Sequence, residues 1–316
     1  MLNSKHDKNE LFSIFLMGCL FVVIHGFALL VTTPFQEAGV TPAFEDPDNL
    51  VNIFYILTIM LIFTAIILLI AKFWKKKVIQ YIILGAVGYT AFYAFFLPFF
   101  TLLFKNFNGR LILIMALIGA IVLVAALIKY PEWYIIDITG IIVGTSAIVI
   151  FGISLGILLV LALLTFLAIY DAISVYKTKH MIDLADTVVD LKLPVLLVIP
   201  KVKGYSMIKE KKSLKEKLNE GGERDAFFMG LGDIVMPGIL VVAAYHYGLL
   251  NGLYVLPLAL SILLGTLVGF CILMIFVIKG KPQAGLPCLC GGAIAGYFIA
   301  SYLLYGEFIG LNFTIF

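Results

Sequence analysis

Charged residues are scarce in this sequence of 316 residues, since Asp, Glu, Lys and Arg together make up only 13% of it. A soluble domain carries about 25% charged residues. Hydrophobic residues account for 62% of the chain, and they are gathered into long runs. The shortage of charge excludes an ordinary soluble domain, and the apolar runs predict an all-α polytopic membrane protein that lies in a lipid bilayer.

Cysteine and histidine are also scarce, with four of each in the chain. Every cysteine lies within or at the edge of an apolar run, so we expect no disulfide framework. Cys288 and Cys290 are close together, but no histidine or carboxylate cluster accompanies them in the sequence as in a zinc site. We therefore expect no metal and no cofactor. A net charge of only +3, with lysines in blocks between apolar runs, argues against a nucleic-acid partner.

Nine apolar runs are long enough to cross a bilayer, which takes about 20 residues of helix. The first is longer than the h-region of a signal peptide, about 7–15 residues, and no small-x-small cleavage site follows it, so we expect a retained helix. The fifth and sixth runs are separated by only a residue or two near Phe151 and Gly152. The predicted spans lie near residues 11–32, 51–71, 78–103, 111–128, 134–150, 153–175, 226–247, 252–278 and 286–306.

The distribution of Lys and Arg supports nine spans rather than eight. Cytoplasmic loops carry the excess of positive charge, and with the N-terminus inside, 20 of the 22 Lys and Arg residues fall on the cytoplasmic side. Merging the fifth and sixth spans would place the most basic loop outside. We therefore predict a protein of the cell membrane, with its N-terminus and long loop in the cytoplasm and its C-terminus outside.

One polar and basic segment, residues 176–225, divides the chain into a six-span part, 1–175, and a three-span part, 226–316. Within it, apolar residues at helical spacing predict an amphipathic helix over 181–191 at the membrane surface. The β-branched run Leu193–Pro200 predicts a short strand between prolines, and residues 201–224 indicate a flexible, solvated linker. The predicted architecture is thus nine transmembrane helices, six plus three, around a long cytoplasmic loop.

Three aspartates lie inside predicted spans, where an ionised side chain costs at least about 2.5 kcal/mol and usually has a function. Asp137 lies beside Trp133 and Tyr134 near the cytoplasmic end of its span, which is typical of a structural residue or of an interfacial position near the headgroups. Asp171 lies roughly 27 Å along the sixth span from its outer start, and Asp233 lies roughly 10 Å inside the seventh. Asp171 and Asp233 should therefore meet at similar depth on neighbouring antiparallel helices.

Two carboxylates at one depth in a low-dielectric site tend to share one proton, because both cannot ionise cheaply. The ionised member can take a proton from water while the other donates to a carbonyl oxygen, as in aspartic proteases. Gly230 and Gly232 leave the backbone before Asp233 bare for an approaching helix or extended substrate. Two membrane aspartates also fit a proton or cation relay in a transporter or channel, so both functions stay open at this point.

The two aspartates stand in motifs that resemble those of a known family. Tyr170-Asp171 and Gly230-Leu231-Gly232-Asp233 are similar to the YD and GxGD motifs of the presenilin and signal peptide peptidase family of intramembrane aspartic proteases, in particular its archaeal presenilin homologues. The layout of six spans plus three is similar as well. The resemblance implies that Asp171 and Asp233 are catalytic, with Tyr170 as a packing and hydrogen-bonding neighbour rather than a reactant.

A third motif departs from the family pattern. Where the family has Pro-Ala-Leu at the start of the ninth span, this chain has Ala284, Gly285 and Leu286, followed by Pro287. In the family this segment lies close to the catalytic pair and helps to shape the substrate cleft. The resemblance implies the same role here, in a segment that should be more flexible because the proline is missing.

The resemblance also implies a class of substrate. The substrates would be transmembrane helices of other proteins, and the predicted orientation favours type I helices, whose N-terminus lies outside. Such a helix must unwind before cleavage, and we expect the strand-like run Leu193–Ile199 or the backbone near Leu286 to pair with it. Both aspartates lie in one chain, so the sequence requires no partner subunit, and it leaves the oligomeric state open.

Two alternatives fit the sequence less well. A transporter often contains matching repeats, and six spans plus three do not divide into matching units. A prepilin-peptidase-type protease also carries a GxGD motif, but it usually has fewer spans and its first aspartate in a loop. His25 and His246, in the first and seventh spans, are expected to be core or interface residues away from the motifs.

Overall fold

Helices make up most of the protein. A computed structural model describes residues 4–73, 76–178, 196–202, 204–208, 226–278 and 283–311. A π-helical turn, Ala91–Phe96, joins the third and fourth α-helices, and a second one, Ser174–Thr178, follows the seventh. The regular elements are α1 Ser4–Glu37, α2 Val51–Phe73, α3 Lys76–Thr90, α4 Leu97–Leu103, α5 Gly109–Lys129, α6 Trp133–Ser154, α7 Ile157–Ile173, β1 Leu196–Pro200, β2 Ala226–Gly230, α8 Leu231–Leu250, α9 Leu256–Ile278 and α10 Gly285–Tyr305.

Eight helical stretches in the described part of the chain are long and apolar enough to cross a membrane. They agree with eight of the predicted spans, and the multi-pass membrane architecture is confirmed. The remaining predicted span, 51–71, coincides with α2, an apolar helix of 23 residues that is not among those eight. The eight stretches are Glu10–Phe35, Gln80–Leu103, Gly109–Lys129, Trp133–Ser154, Ile157–Tyr176, Leu231–Leu250, Leu256–Ile278 and Gly285–Tyr305.

The fifth and sixth predicted spans are separate helices, but the break lies a few residues later than predicted. Helix α6 ends at Ser154, and the backbone is extended at Leu155 and Gly156 before α7 begins. The loop that follows α1 supplies hydrogen-bond partners at this break. The Ala43 N–H donates to Ser154 Oγ at 2.8 Å, and the Gly156 N–H donates to the Pro47 carbonyl at 2.8 Å. Backbone groups freed by the break are therefore satisfied by protein.

A two-stranded antiparallel hairpin precedes α8. Strand β1 confirms the predicted strand over 196–200, whereas 193–195, the predicted amphipathic helix 181–191 and most of the predicted linker 201–224 lie outside the described residues. Its partner β2 was not predicted, because residues 226–230 were assigned to the seventh span. That assignment is wrong, and α8 begins at Leu231. The register runs from Leu196 opposite Gly230 to Pro200 opposite Ala226.

Helix α1 contacts the end of the hairpin at which Pro200 pairs with Ala226. Ser13 Oγ donates to the Pro200 carbonyl at 3.0 Å. The Lys201 ammonium group lies 2.6 Å from Glu10 Oε1 and 4.0 Å from the centre of the Phe227 ring. The hairpin is thus held against the helices by polar contacts as well as by its own apolar side chains.

Helix α8 lies at the centre of the bundle, packed against α1, α6, α9 and α10. Small residues let it approach its neighbours closely. A Cβ placed on Gly152 of α6 would lie 2.6 Å from the Val242 Cβ, and one placed on Gly238 would lie 2.7 Å from the His25 ring. The sequence therefore places glycines where α8 meets α6 and α1, and these contacts fix where the start of α8 can lie.

Candidate active site

The two motif aspartates lie at the ends of adjacent helices. Asp171 is in the last turn of α7, Asp233 is in the first turn of α8, and the two helices pack against each other. Both carboxylate residues are partly exposed. The expected depth of roughly 10 Å for Asp233 within its helix is wrong, because the residues that precede Leu231 form a strand.

The start of α10 brings the two carboxylates to one place. The Leu286 N–H donates to Asp171 Oδ2 at 3.1 Å. A Cβ placed on the preceding Gly285 would lie 3.1 Å from Asp233 Oδ2. Unpaired N–H groups at a helix N-terminus favour negative charge. The first two residues of α10 therefore lie against the aspartate pair, and they place a helix N-terminus beside it.

The residues around this contact suit a tight helix start. Ala284 precedes the helix with an extended backbone and is 2% exposed. Gly285 has no side chain to displace Asp233, and Leu286 is partly buried against the core. Pro287 lies in the first turn, where a missing N–H costs no helical hydrogen bond. The third motif of this chain thus places Gly285 and Leu286 at the carboxylate pair, with Ala284 and Pro287 directly before and after them.

The three residues before Asp233 differ in their surroundings. Gly230 ends β2, and a Cβ there would lie 3.4 Å from Asp233 Oδ2. A Cβ on Gly232 would meet nothing within 4 Å, and Gly232 is exposed. Leu231 is 8% exposed and lies against Gly144 of α6. The glycines leave open backbone beside the carboxylate, while Leu231 anchors the start of α8.

Tyr170 is largely exposed. It directly precedes Asp171, and it is 64% exposed. Successive residues on a helix point about 100° apart, so the neighbour of an inward-facing residue can face outward. The expected packing of Tyr170 against the two aspartates stays a prediction.

His25 lies closer to the motifs than the sequence indicated. It is fully buried, and its Nε2 lies 3.0 Å from the carbonyl of Ile234, the residue after Asp233. The expectation that His25 lies away from the motifs is therefore wrong. The two residues are 209 positions apart in sequence, and no pattern in the chain indicated that the first span would touch this turn of α8.

Asp137 is buried and bonded to a strand. It is 7% exposed, and its Oδ1 accepts a hydrogen bond from the Val198 N–H at 2.8 Å. This contact agrees with a structural role, whereas the depth of Asp137 relative to the headgroups stays a prediction. Sequence patterns missed this contact because Val198 belongs to a strand that is separated from Asp137 by 61 residues.

Comparison with known proteins places this arrangement in a family. The profile described as "Signal-peptide peptidase, presenilin aspartyl protease" matches residues 18–305, which include both aspartates and the start of α10. No curated protein matches the chain in a sequence search.

Two solved structures are similar in both sequence and fold. A presenilin family intramembrane aspartate protease in space group C222 is 33% identical, with a TM-score of 0.68, over 92% of this chain and 99% of that one. A presenilin family intramembrane aspartate protease in space group P2 is 32% identical, with a TM-score of 0.65, over 91% and 96%. These similarities give no support to the transporter alternative. The chain belongs to the signal peptide peptidase and presenilin family of aspartyl proteases, and it is an intramembrane aspartic endopeptidase.

Proposed function

We propose that Asp171 and Asp233 are the catalytic dyad of this protease, and that they hydrolyse peptide bonds of transmembrane substrates. The observation that carries this proposal is their convergence on the first two residues of α10, through the Leu286 N–H and beside Gly285. Asp233 also adjoins the open backbone at Gly232. A carboxylate pair next to open backbone provides both the acid–base groups and a place for an extended substrate.

The reaction needs only the two carboxylates and one water. The two aspartates share one proton. The ionised aspartate takes a proton from water as the water oxygen bonds to the substrate carbonyl carbon. The protonated aspartate gives its proton to the carbonyl oxygen. The aspartate that took a proton from water gives it to the amide nitrogen as the carbon–nitrogen bond breaks, while one hydroxyl of the tetrahedral intermediate returns a proton to the other aspartate, so that an amine and a carboxylic acid are released. The dyad returns to the state with a single proton.

Substitution of each aspartate tests the dyad. Asp171→Asn and Asp233→Asn preserve side-chain size but remove acid–base function, which typically contributes a factor of about 10²–10⁴ to the rate. We expect each purified variant to lose at least about a hundredfold in cleavage of a single-span reporter in liposomes. Asp46→Asn, in the loop after α1, is the matched control and should cleave normally. Cleavage that survives either dyad change would refute the dyad, and ion flux lost in those variants without cleavage in any would favour a relay.

For substrate recognition, the best-supported pairing site is the outer edge of β2, the edge away from β1, which pairs with no other strand among the described residues. One edge of β1 pairs with β2, and on its other edge the Val198 N–H bonds to Asp137. Backbone groups point to opposite sides at successive strand residues. The backbone N–H of Val198 points away from β2. The backbone N–H and C=O groups of its partner Phe228, and those of Gly230, therefore point away from β1. We therefore propose that an unwound substrate adds to β2 rather than to the run Leu193–Ile199.

N-methylated substrates test this pairing without changing the enzyme. Because alternate residues of an added strand face β2, N-methylation of successive amides in a synthetic substrate should reduce cleavage at every second position. The intervening positions serve as matched controls with the same added methyl group. A smooth dependence on distance from the scissile bond, without alternation, would rule out strand addition.

The topology proposed for the membrane follows from the charges of the loops. Nine spans, with α2 as the ninth helix, divide into six in residues 1–175 and three in 226–316, on either side of the segment 176–225. The N-terminus and this segment lie in the cytoplasm and the C-terminus outside, because 20 of 22 Lys and Arg residues are then cytoplasmic. This orientation favours type I substrates. A matched pair of reporters that differ only in orientation should be cleaved in favour of the type I form, by the purified chain without a partner subunit.

A further inference from the structure

Asp137 links α6 to the hairpin by the 2.8 Å hydrogen bond from the Val198 N–H. The side chain is buried, with 7% of the residue exposed. A buried aspartate in an apolar helix needs a compensating partner, because an unpaired polar group is costly there. The partner here is one backbone N–H of β1, so the cost of burying the carboxylate is offset by a contact to the strand.

The strand geometry explains why β1 needs this acceptor. The Val198 N–H points away from β2, so no residue of the hairpin can accept from it. In a larger sheet a third strand would accept this bond, and an exposed strand edge would bind other extended segments. The carboxylate of Asp137 takes the place of that third strand, and α6 covers this edge of β1.

The same face of α6 also receives the first turn of α8. Gly140 and Gly144 lie three and seven residues after Asp137, which places all three on one side of the helix. A Cβ on Gly140 would lie 2.6 Å from Leu197 Cδ2, and one on Gly144 would lie 3.1 Å from Leu231 Cδ1. This face therefore holds β1 and the start of α8 in one fixed relation.

A second carboxylate, at the start of α6, binds the segment after β1. Glu132, directly before the first residue of α6, accepts from Ser206 Oγ at 2.6 Å and from the Met207 N–H at 3.0 Å. The chain is thus fastened to the start of α6 both within β1 and beyond it. The hairpin has little freedom to slide along α6 while these bonds are made.

We propose that Asp137 is a positioning residue for proteolysis, which fixes the hairpin so that Asp233 and the outer edge of β2 face the same substrate. Strand β2 ends at Gly230, only three residues before Asp233, so a shift of the hairpin moves the carboxylate as well. The proposal rests on the catalytic role assigned to Asp233 above. Asp137 touches no reacting atom, and its effect passes through Val198, β1 and β2.

Three variants of α6 separate positioning from general stability. Asp137→Ala removes the acceptor, Asp137→Asn keeps an acceptor oxygen, and Thr139→Ala removes a buried hydroxyl that bonds within α6, to the Ile135 carbonyl. A displacement of about 1 Å in the reacting groups can lower a rate about a hundredfold. We expect kcat to fall roughly ten- to a hundredfold in Asp137→Ala, with recovery in Asp137→Asn and little change in Thr139→Ala at similar melting temperatures.

A second pair of changes removes the donor instead of the acceptor. Val198→Pro deletes the same hydrogen bond and spares the ladder with β2, because that N–H points away from β2, and proline is tolerated at such edges. If one bond is responsible, Asp137→Ala and Val198→Pro combined should lower kcat no further than either alone. Val198→Pro alone keeps the test available if Asp137→Ala fails to fold, because it should lower kcat by a similar factor, and full activity in folded Val198→Pro would overturn the positioning role.

The outcomes distinguish this inference from the proposed dyad. Full activity in folded Asp137→Ala, or multiplicative losses in the double variant, would overturn the positioning role while leaving the dyad intact if Asp233→Asn is inactive. An equal loss of kcat in Asp137→Asn and Asp137→Ala would also overturn it, because the acceptor would not matter. Activity in Asp233→Asn would overturn the dyad, and the positioning of Asp233 with it.

Discussion

The central helices α6 and α8 differ from a peripheral helix such as α5 in how they are buried, although all three are strongly apolar. Within the most apolar stretch of each, 67% of α8 and 61% of α6 is buried inside the protein, against 28% of α5. In α5 the buried residues form one stripe, from Ile112 through Ala116 and Ala120 to Leu127. In α8 buried residues occur on all sides of the helix.

Hydrophobicity does not distinguish central from peripheral helices, because lipid tails and a protein core are both apolar. What separates them is the surroundings of the glycines. Gly152 and Gly238 lie against neighbouring helices so closely that an added Cβ would clash, whereas Gly85 of α3 has nothing within 4 Å of that position. Close approach through small residues is the main route by which helices pack in a bilayer. The comparison therefore predicts where a single methyl group is harmful.

The largest effect on stability is expected at the contact between α6 and α8. In Gly152→Ala the new methyl group would lie 2.6 Å from the Val242 Cβ and 3.3 Å from the Ala243 nitrogen. Neither atom is the end of a flexible side chain, so we expect a loss of about 1–3 kcal/mol. Gly85→Ala, the matched peripheral change, should be neutral or stabilising by about 0.5–1 kcal/mol. Thermal unfolding in detergent measures both, and equal melting temperatures would show that the centre is not tightly packed.

A smaller effect, on activity rather than stability, is expected at the start of α10. Gly285→Ala would place a methyl group 3.1 Å from Asp233 Oδ2, so the carboxylate must move by a few tenths of an ångström. Small displacements of reacting groups lower rates, and we expect kcat to fall a few-fold with KM nearly unchanged. Gly291→Ala, on the same helix with nothing within 4 Å, is the matched control. An unchanged kcat in Gly285→Ala would mean that the glycine is not needed to fit Asp233, although the family has alanine there.

The sequence predicted the membrane spans and both aspartates because their signals are local. Long apolar runs have few alternatives in a bilayer, and a carboxylate inside such a run requires an explanation. The outward side of Tyr170 could not be predicted in the same way. Helix α7 is apolar all round, so nothing in its sequence separates the face toward Asp171 from the face toward lipid.

The contacts that shape the site are distant in sequence. The run Phe227–Met229 is as apolar as the membrane-spanning helices, and it forms a strand only because it pairs with β1. The bonds from Asp137 and His25 cross 61 and 209 residues, and neither periodicity nor composition reports on such pairs. Sequence alone therefore identified the two carboxylates that we propose as the reacting groups, while the structure that positions them depends on tertiary contacts.

The smallest effect is expected in the loop after α1, at the opposite end of α6 from the hairpin. Partial burial, and then the charge of Asp46, raise the pKa of Asp48 above its ordinary value of 3.8. A raised pKa means that the fold favours the protonated form of Asp48. The stability that protonated Asp48 contributes is therefore complete below its ordinary pKa, and it is lost as the pH rises through the pKa in the folded protein. Asp48→Asn should therefore raise the melting temperature at pH 7 by about 1–2 °C.

At a pH below the ordinary pKa of Asp48, the melting temperature of Asp48→Asn should match that of the wild type, because Asp48 is then neutral in both the folded and the unfolded protein. Glu45→Gln, at an exposed position of the same loop, is the matched control and should show no such dependence on pH. The Asp48 carboxylate lies against Gly156, at the break between α6 and α7. A melting temperature at pH 7 that does not rise in Asp48→Asn would mean that ionised Asp48 does not destabilise the fold, and that the loop holds this end of the central helix equally well in either charge state.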